Sequence, residues 1–112
     1  MNAPLPVEID CQSVVSKLKA GEDFLLLDCR QPSEFETARI DGAVLIPMGE
    51  LQDRVEEIER YRNRLVVVHC HHGGRSLRVT HWLRGQGFEK VQNMTGGIDA
   101  WSQTVDESIP RY

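Results

Sequence analysis

The residues best suited to chemistry lie together in His69-Cys70-His71-His72-Gly73-Gly74-Arg75-Ser76. A cysteine becomes a nucleophile when it is ionised. Cys70 stands where ionisation is favoured: it follows the apolar run Leu65-Val66-Val67-Val68, and Gly73-Gly74 lead the chain into a helical pattern. The stretch reads as strand, loop, helix. A sulfur at that junction faces the first amides of the next helix, where N–H groups and the helix dipole favour an anion. Four residues separate Cys70 from Arg75. A loop of that length, curled with its amides inward and Arg75 closing the ring, can bind an oxyanion. Gly73 and Gly74 allow the torsions such a curl requires.

The neighbouring histidines invite a metal reading, which the residues do not favour. Strand alternation sends His69 to the face opposite Cys70, and adjacent histidines such as His71 and His72 rarely converge on one ion. No metal is expected; His71 and His72 are read as donors or positive charge at the rim of the loop, or as plain surface. There is no Cys-x-x-Cys pair, which argues against a zinc knuckle and a thioredoxin-type centre. Cys11, Cys29 and Cys70 are odd in number and widely spaced, so a disulfide framework is not expected. Cys11 reads as packing, and Cys29 as packed and inert, with redox coupling to Cys70 left open.

Elements that could position the loop are legible on either side. Val7-Glu8-Ile9 reads as a short strand, and Asp10 as the cap of a helix whose Cys11, Val14, Val15 and Leu18 share a face before Gly21 stops it. Phe24–Asp28 is a buried strand. Pro32 with Glu34 starts a helix, Asp41-Gly42 turns, and Ala43–Ile46 is a third strand closed by Pro47. Met48, Leu51, Val55 and Ile58 give an amphipathic helix. After the cysteine loop a helix is predicted over roughly 75–84, a last strand over Phe88 to Val91, and a brief helix holding Ile98 and Trp101. Trp82 and Trp101 are core anchors, and Asp28 with Arg30 forms a loop-fixing ion pair. Strands alternating with helices predict an α/β fold, a mostly parallel sheet covered on both faces.

Composition sets the bounds. The chain has 112 residues, a formal charge of -4 and 40% hydrophobic residues, the profile of one soluble domain with one core. It is read as a single domain over 1–112, with an extended lead-in at 1–6 and a tail at 105–112. No basic stripe points to nucleic acid, and no apolar run or leader points to a membrane or to export; the expected location is the cytoplasm.

Four ordered blocks carry a resemblance. Asp28-Cys29-Arg30-Gln31-Pro32-Ser33-Glu34-Phe35 resembles an Asp-x-Arg-x-x-x-Glu-Phe/Tyr block, and Ile40-Asp41-Gly42-Ala43-Val44-Leu45-Ile46-Pro47 an Ile-Pro-Gly-Ala-x-x-Ile-Pro block. Cys70 through Ser76 matches an active-site loop, and Gly96-Gly97-Ile98-Asp99-Ala100-Trp101 a Gly-Gly-x-x-Ala-Trp block. The chain is similar to the single-domain rhodaneses, thiosulfate sulfurtransferases of the rhodanese-like superfamily. Ala38-Arg39 and Asp41 depart from the family pattern, near a turn. The tail ending Pro110-Arg111-Tyr112 resembles rhodanese domains fused to enzymes that activate sulfur-carrier proteins.

The resemblance implies a rhodanese-like five-stranded sheet and ping-pong sulfur transfer. Cys70 would be the catalytic residue, His71, His72, Gly73, Gly74, Arg75 and Ser76 would bind the substrate, and neither cofactor nor metal would be needed. The donor would be thiosulfate or a related sulfane, the acceptor cyanide or a thiol, with a protein donor or acceptor as the relay alternative. A phosphatase or arsenate reductase on the same fold is a third reading. The tyrosine-phosphatase signature, however, places five residues between cysteine and arginine, and the shorter ring here suits one sulfur atom better than a phosphate.

Overall fold

A computed structural model describes residues 5–112; of the lead-in expected at 1–6, residues 1–4 lie outside the described residues. Five strands form one parallel sheet: β1 (Glu8–Ile9), β2 (Leu25–Asp28), β3 (Val44–Leu45), β4 (Leu65–His69) and β5 (Lys90–Met94), in the order β1-β5-β4-β2-β3. Five α-helices connect and cover it: α1 (Cys11–Lys19), α2 (Pro32–Thr37), α3 (Leu51–Arg54), α4 (Gly74–Gly85) and α5 (Gly97–Thr104). The α/β fold and parallel sheet expected from the alternating pattern are present.

Side-chain alternation divides the core into two layers. Leu25, Leu27, Val66 and Val68 point to one side with Leu51, Ile58, Val79, Leu83 and Phe88; Cys29 and Cys70 belong to this layer. Leu26 and Val67 point to the other, with Val14, Met94, Ile98 and Trp101. Both faces being covered explains why β2 and β4 read as unbroken apolar runs.

Local signals account for the helix ends. The Asp10 carboxylate accepts a 2.7 Å bond from the Ser13 amide at the start of α1, and Gly21 follows its last turn at φ +67°. Pro32 opens α2, where Gln31 and Glu34 form a reciprocal capping box.

Three expectations are corrected. The Met48–Ile58 stretch is α-helical only over α3, with 3₁₀ turns at Met48–Glu50 and Val55–Tyr61. A spacing of three, as from Met48 to Leu51 and Val55 to Ile58, keeps side chains aligned in a 3₁₀ turn as well as in a helix. The third strand shortens to Val44–Leu45. The last strand runs Lys90–Met94, displaced from the expected Phe88–Val91. Gln92 and Asn93 hide it, being polar yet 6% and 3% exposed.

The chain leaves β2 outward to β3 and leaves β4 in the opposite direction to β5. The carboxyl ends of β2 and β4 therefore flank the switch point of the sheet, the usual crevice for a site in an open α/β fold. Cys29 and Cys70 are the first residues beyond those two ends.

Candidate active site

β4 is the middle strand, bonded to β2 and β5, so the position of its carboxyl end is fixed by both neighbours. The backbone beyond it is fixed by α5: the Ile98 amide donates to the Cys70 carbonyl at 2.9 Å and the Asp99 amide to the His71 carbonyl at 3.1 Å. Gly97 makes this approach possible. A Cβ there would lie 2.5 Å from the carbonyl oxygens of both Cys70 and His71. At the other end of the loop Gly73 takes φ +113° as the residue before α4, a torsion that favours glycine. Gly74 does not share this role, contrary to expectation: its φ is not positive, and a Cβ there would meet nothing within 4 Å.

Within this turn the Cys70 sulfur, 1% exposed, is met by donors. The Gly73 amide lies 3.1 Å away, the Ser76 amide 3.4 Å and the Ser76 hydroxyl 3.3 Å. Burial pushes the thiol pKa up, but the Ser76 hydroxyl and the amides of Ser76, Gly73 and Arg75 outweigh it, and the net direction is down. The geometry is that of a cradle for sulfur-borne negative charge.

The Arg75 guanidinium does not close this ring onto Cys70. It forks onto the Glu34 carboxylate of α2 at 2.7 and 2.9 Å, a bidentate pair that matches guanidinium to carboxylate. Glu34 also accepts from the Gln31 amide at 3.1 Å and the Tyr112 hydroxyl at 2.8 Å, and the Arg75 fork foremost holds its carboxyl down at about 2. Tyr112 in turn accepts from Arg30 at 2.7 Å and stacks on His71 with ring centroids 3.9 Å apart.

His71 and His72 do come together, against the expectation for adjacent histidines: their rings stack at 3.9 Å. With Asp99 of α5 they form a group of three metal-type ligands whose ligand atoms lie within 4.8 Å of one another. Asp99, however, is already bonded to Arg111 at 2.9 Å and to Gln103 at 2.9 Å, so a cation there would displace a guanidinium. His71 is half-buried and His72 exposed. Burial pushes the His71 pKa down, and the charge of His72 adds to it.

His69 lies apart from the sulfur, fully buried, its Nε2 3.9 Å from Asp28 and both ring nitrogens without a hydrogen-bond partner. Burial first, and the Arg30 charge after it, push its pKa down to about 4 against the opposing pull of Asp28. Asp28 and Arg30 form the expected ion pair, at 2.7 Å with both side chains 0% exposed. Arg30 also reaches the Ala38 carbonyl at 2.6 Å, which ties α2 to the end of β2.

Against known proteins, residues 12–104 match the model of the rhodanese-like domain. The chain belongs to this family. The rhodanese-like domain is 38% identical to a protein named Sulfurtransferase from Allochromatium vinosum, over 86% of this chain and 88% of that one. It is 32% identical to Adenylyltransferase and sulfurtransferase MOCS3-2 of Zea mays, over 97% of this chain and 24% of that protein. The match spans between 24% and 88% of the length of the curated relatives, and about a third of the rhodanese-like/PpiC domain-containing protein 12 of Arabidopsis thaliana. Among solved structures, a rhodanese-like domain protein from Staphylococcus aureus superposes with a TM-score of 0.79 at 26% identity, over 96% of this chain and 99% of that one.

Sequence reasoning did not assign Glu34, Asn93, Asp99 or Tyr112 to the site. Glu34 was visible as a helix-start residue and in a family block. Asn93 left one signal, a polar pair inside a stretch of strand character. Asp99 lies in the Gly96–Trp101 block and Tyr112 in the tail, but neither showed a link to the loop, because their contacts arise only when the tail and α5 fold back onto it.

Proposed function

We propose that the protein is a sulfurtransferase in which Cys70 carries the sulfur. The observation that supports this most is the set of three donors on a buried Cys70 sulfur, in a loop of four residues between cysteine and arginine. The Cys70 thiolate attacks the sulfane sulfur of thiosulfate or a related donor; the sulfur–sulfur bond of the donor breaks and sulfite leaves with the electron pair. The enzyme then holds a Cys70 persulfide, whose terminal sulfur is electrophilic. Cyanide or a thiol attacks that sulfur, and Cys70 departs as thiolate, ready for another cycle. Amides of residues 71–76 hold the charge, and His71, His72 and Arg75 line the approach.

The test is mass spectrometry after thiosulfate treatment. A gain of about 32 Da on Cys70, removed by cyanide and absent in Cys70→Ala, is expected. No adduct, with turnover of an aryl phosphate in its place, overturns the assignment.

A second reading, a relay taking sulfur from a protein persulfide, is favoured by one observation. Glu34 neutralises the Arg75 guanidinium, which lowers the attraction of the loop for a doubly charged donor. If thiosulfate is the natural donor, Arg75→Ala raises its KM far more than that of an uncharged persulfide. Equal effects favour the relay.

A further inference from the structure

Behind Cys70 runs a buried chain of hydrogen bonds that the transfer chemistry does not require. The Ser76 hydroxyl lies 3.3 Å from the Cys70 sulfur and in close contact with the Asn93 Oδ1; both side chains are buried. A hydroxyl has one proton, and here it has two acceptors. Asn93 cannot exchange its ends to relieve the competition. Its Nδ2 faces only acceptors, the two Glu8 carboxylate oxygens at 3.2 and 3.0 Å and the Gly73 carbonyl at 3.3 Å. Glu8, on β1, is itself fixed by the Thr95 hydroxyl at 2.7 Å. Glu8 therefore turns the Asn93 oxygen towards Ser76.

We propose that Asn93, oriented by Glu8, is a positioning residue that acts as a latch on the Cys70 thiol through the Ser76 hydroxyl. With Cys70 protonated, every partner is satisfied: the thiol donates to the Ser76 oxygen, and Ser76 donates to Asn93. Once the sulfur is a thiolate, the Ser76 proton turns to it, the Asn93 oxygen loses its donor, and the Cys70 proton passes to solvent. Asn93 thus favours the thiol and restrains ionisation that Ser76 and the loop amides promote. The inference rests on Cys70 being the nucleophile.

Other titratable groups around the loop come from every side and are common to all the variants below. They are Cys29 beyond β2, Arg75 with its partner Glu34 of α2, and His71 and His72 with Asp99 of α5.

The test is the pH profile of Cys70 alkylation by iodoacetamide, read by mass spectrometry. The near-isosteric Asn93→Leu removes the competing acceptor, and its midpoint should fall by about half to one pH unit. Asn93→Asp keeps the acceptor facing Ser76, sets a carboxyl oxygen against Glu8 and Gly73 in place of the Nδ2 donor, adds negative charge, and should raise it. In a Ser76→Ala background the effect of Asn93→Leu should vanish, because the latch acts only through that hydroxyl. Shifts in the same direction for Leu and Asp, or a Leu effect that persists without Ser76, overturn the latch. A failure of sulfur loading by thiosulfate would instead strike the transferase reading, and alkylation reads the latch independently of it.

Discussion

Two cysteines stand one residue beyond the ends of two adjacent parallel strands, both buried, both free, both on the same face of the sheet. Their chemistry is opposite. The Cys29 thiol donates towards the His69 carbonyl at 3.5 Å, and burial, with the nearby Cys70 and Asp28, pushes its pKa up to about 12. Cys70 receives hydrogen bonds where Cys29 gives one, and its pKa moves down. Depth, position just past a strand end and neighbouring core are shared, so the difference comes from what the chain does next. Beyond Cys70 it curls into the N-terminus of α4 and turns amides onto the sulfur. Beyond Cys29 it runs into Arg30, whose guanidinium is used to neutralise Asp28. Burial alone makes a cysteine inert; donors aimed at the sulfur make it reactive.

The comparison breaks most sharply under sulfur loading. Cys70→Ala should lose the thiosulfate-derived adduct completely, whereas Cys29→Ala should retain it, as read by intact mass. Loss of the adduct in both would mean that the cysteines work as a pair. The next largest effect belongs to the other strand end. Arg30→Ala leaves Asp28 charged and unpaired in the core and should cost about 3–5 kcal/mol, measured as a shift of the urea midpoint. A change near zero would show that Arg30 does not hold the end of β2.

Gly97→Ala sharpens the contrast from the side of Cys70. The added methyl presses on the Cys70 and His71 carbonyls and should cost roughly 1–3 kcal/mol. It should also move the alkylation profile of Cys70 and leave that of Cys29 in place. The smallest effect concerns the bridge between the two ends, Glu34 to Arg75. Glu34 titrates at about 2 in the folded protein, below its usual 4.5. Its contribution to stability is present above 4.5 and lost as pH falls through about 2. Glu34→Gln should therefore flatten the stability-against-pH curve between about 4.5 and 2, read by urea unfolding at stepped pH.

Much of this organisation was legible in one dimension. β2 and β4 announced themselves as apolar runs, Asp10 and Pro32 as helix starts, and Gly73 as the turn before α4, because each signal is local. The 3₁₀ turns around α3 were not legible, since a spacing of three serves both helix types. β5 was misplaced because Gln92 and Asn93 are buried for reasons set by β1 and α4, which lie far away in the chain. Arg75 was expected to close the ring, but its guanidinium is taken by Glu34, which comes from an element 41 residues earlier.

By itself, the sequence determined the order of elements, the cysteine at a strand–helix junction, and the four-residue interval between Cys70 and Arg75. Those features depend on neighbours within a few positions. Only the tertiary structure decided which of two buried cysteines has donors aimed at its sulfur, where the Arg75 guanidinium is bonded, and that Glu8 and Asn93 stand behind Ser76. Hydrogen bonds of that kind are settled by which acceptor comes within about 3 Å once distant strands and the tail are packed together. No spacing along the chain encodes that distance.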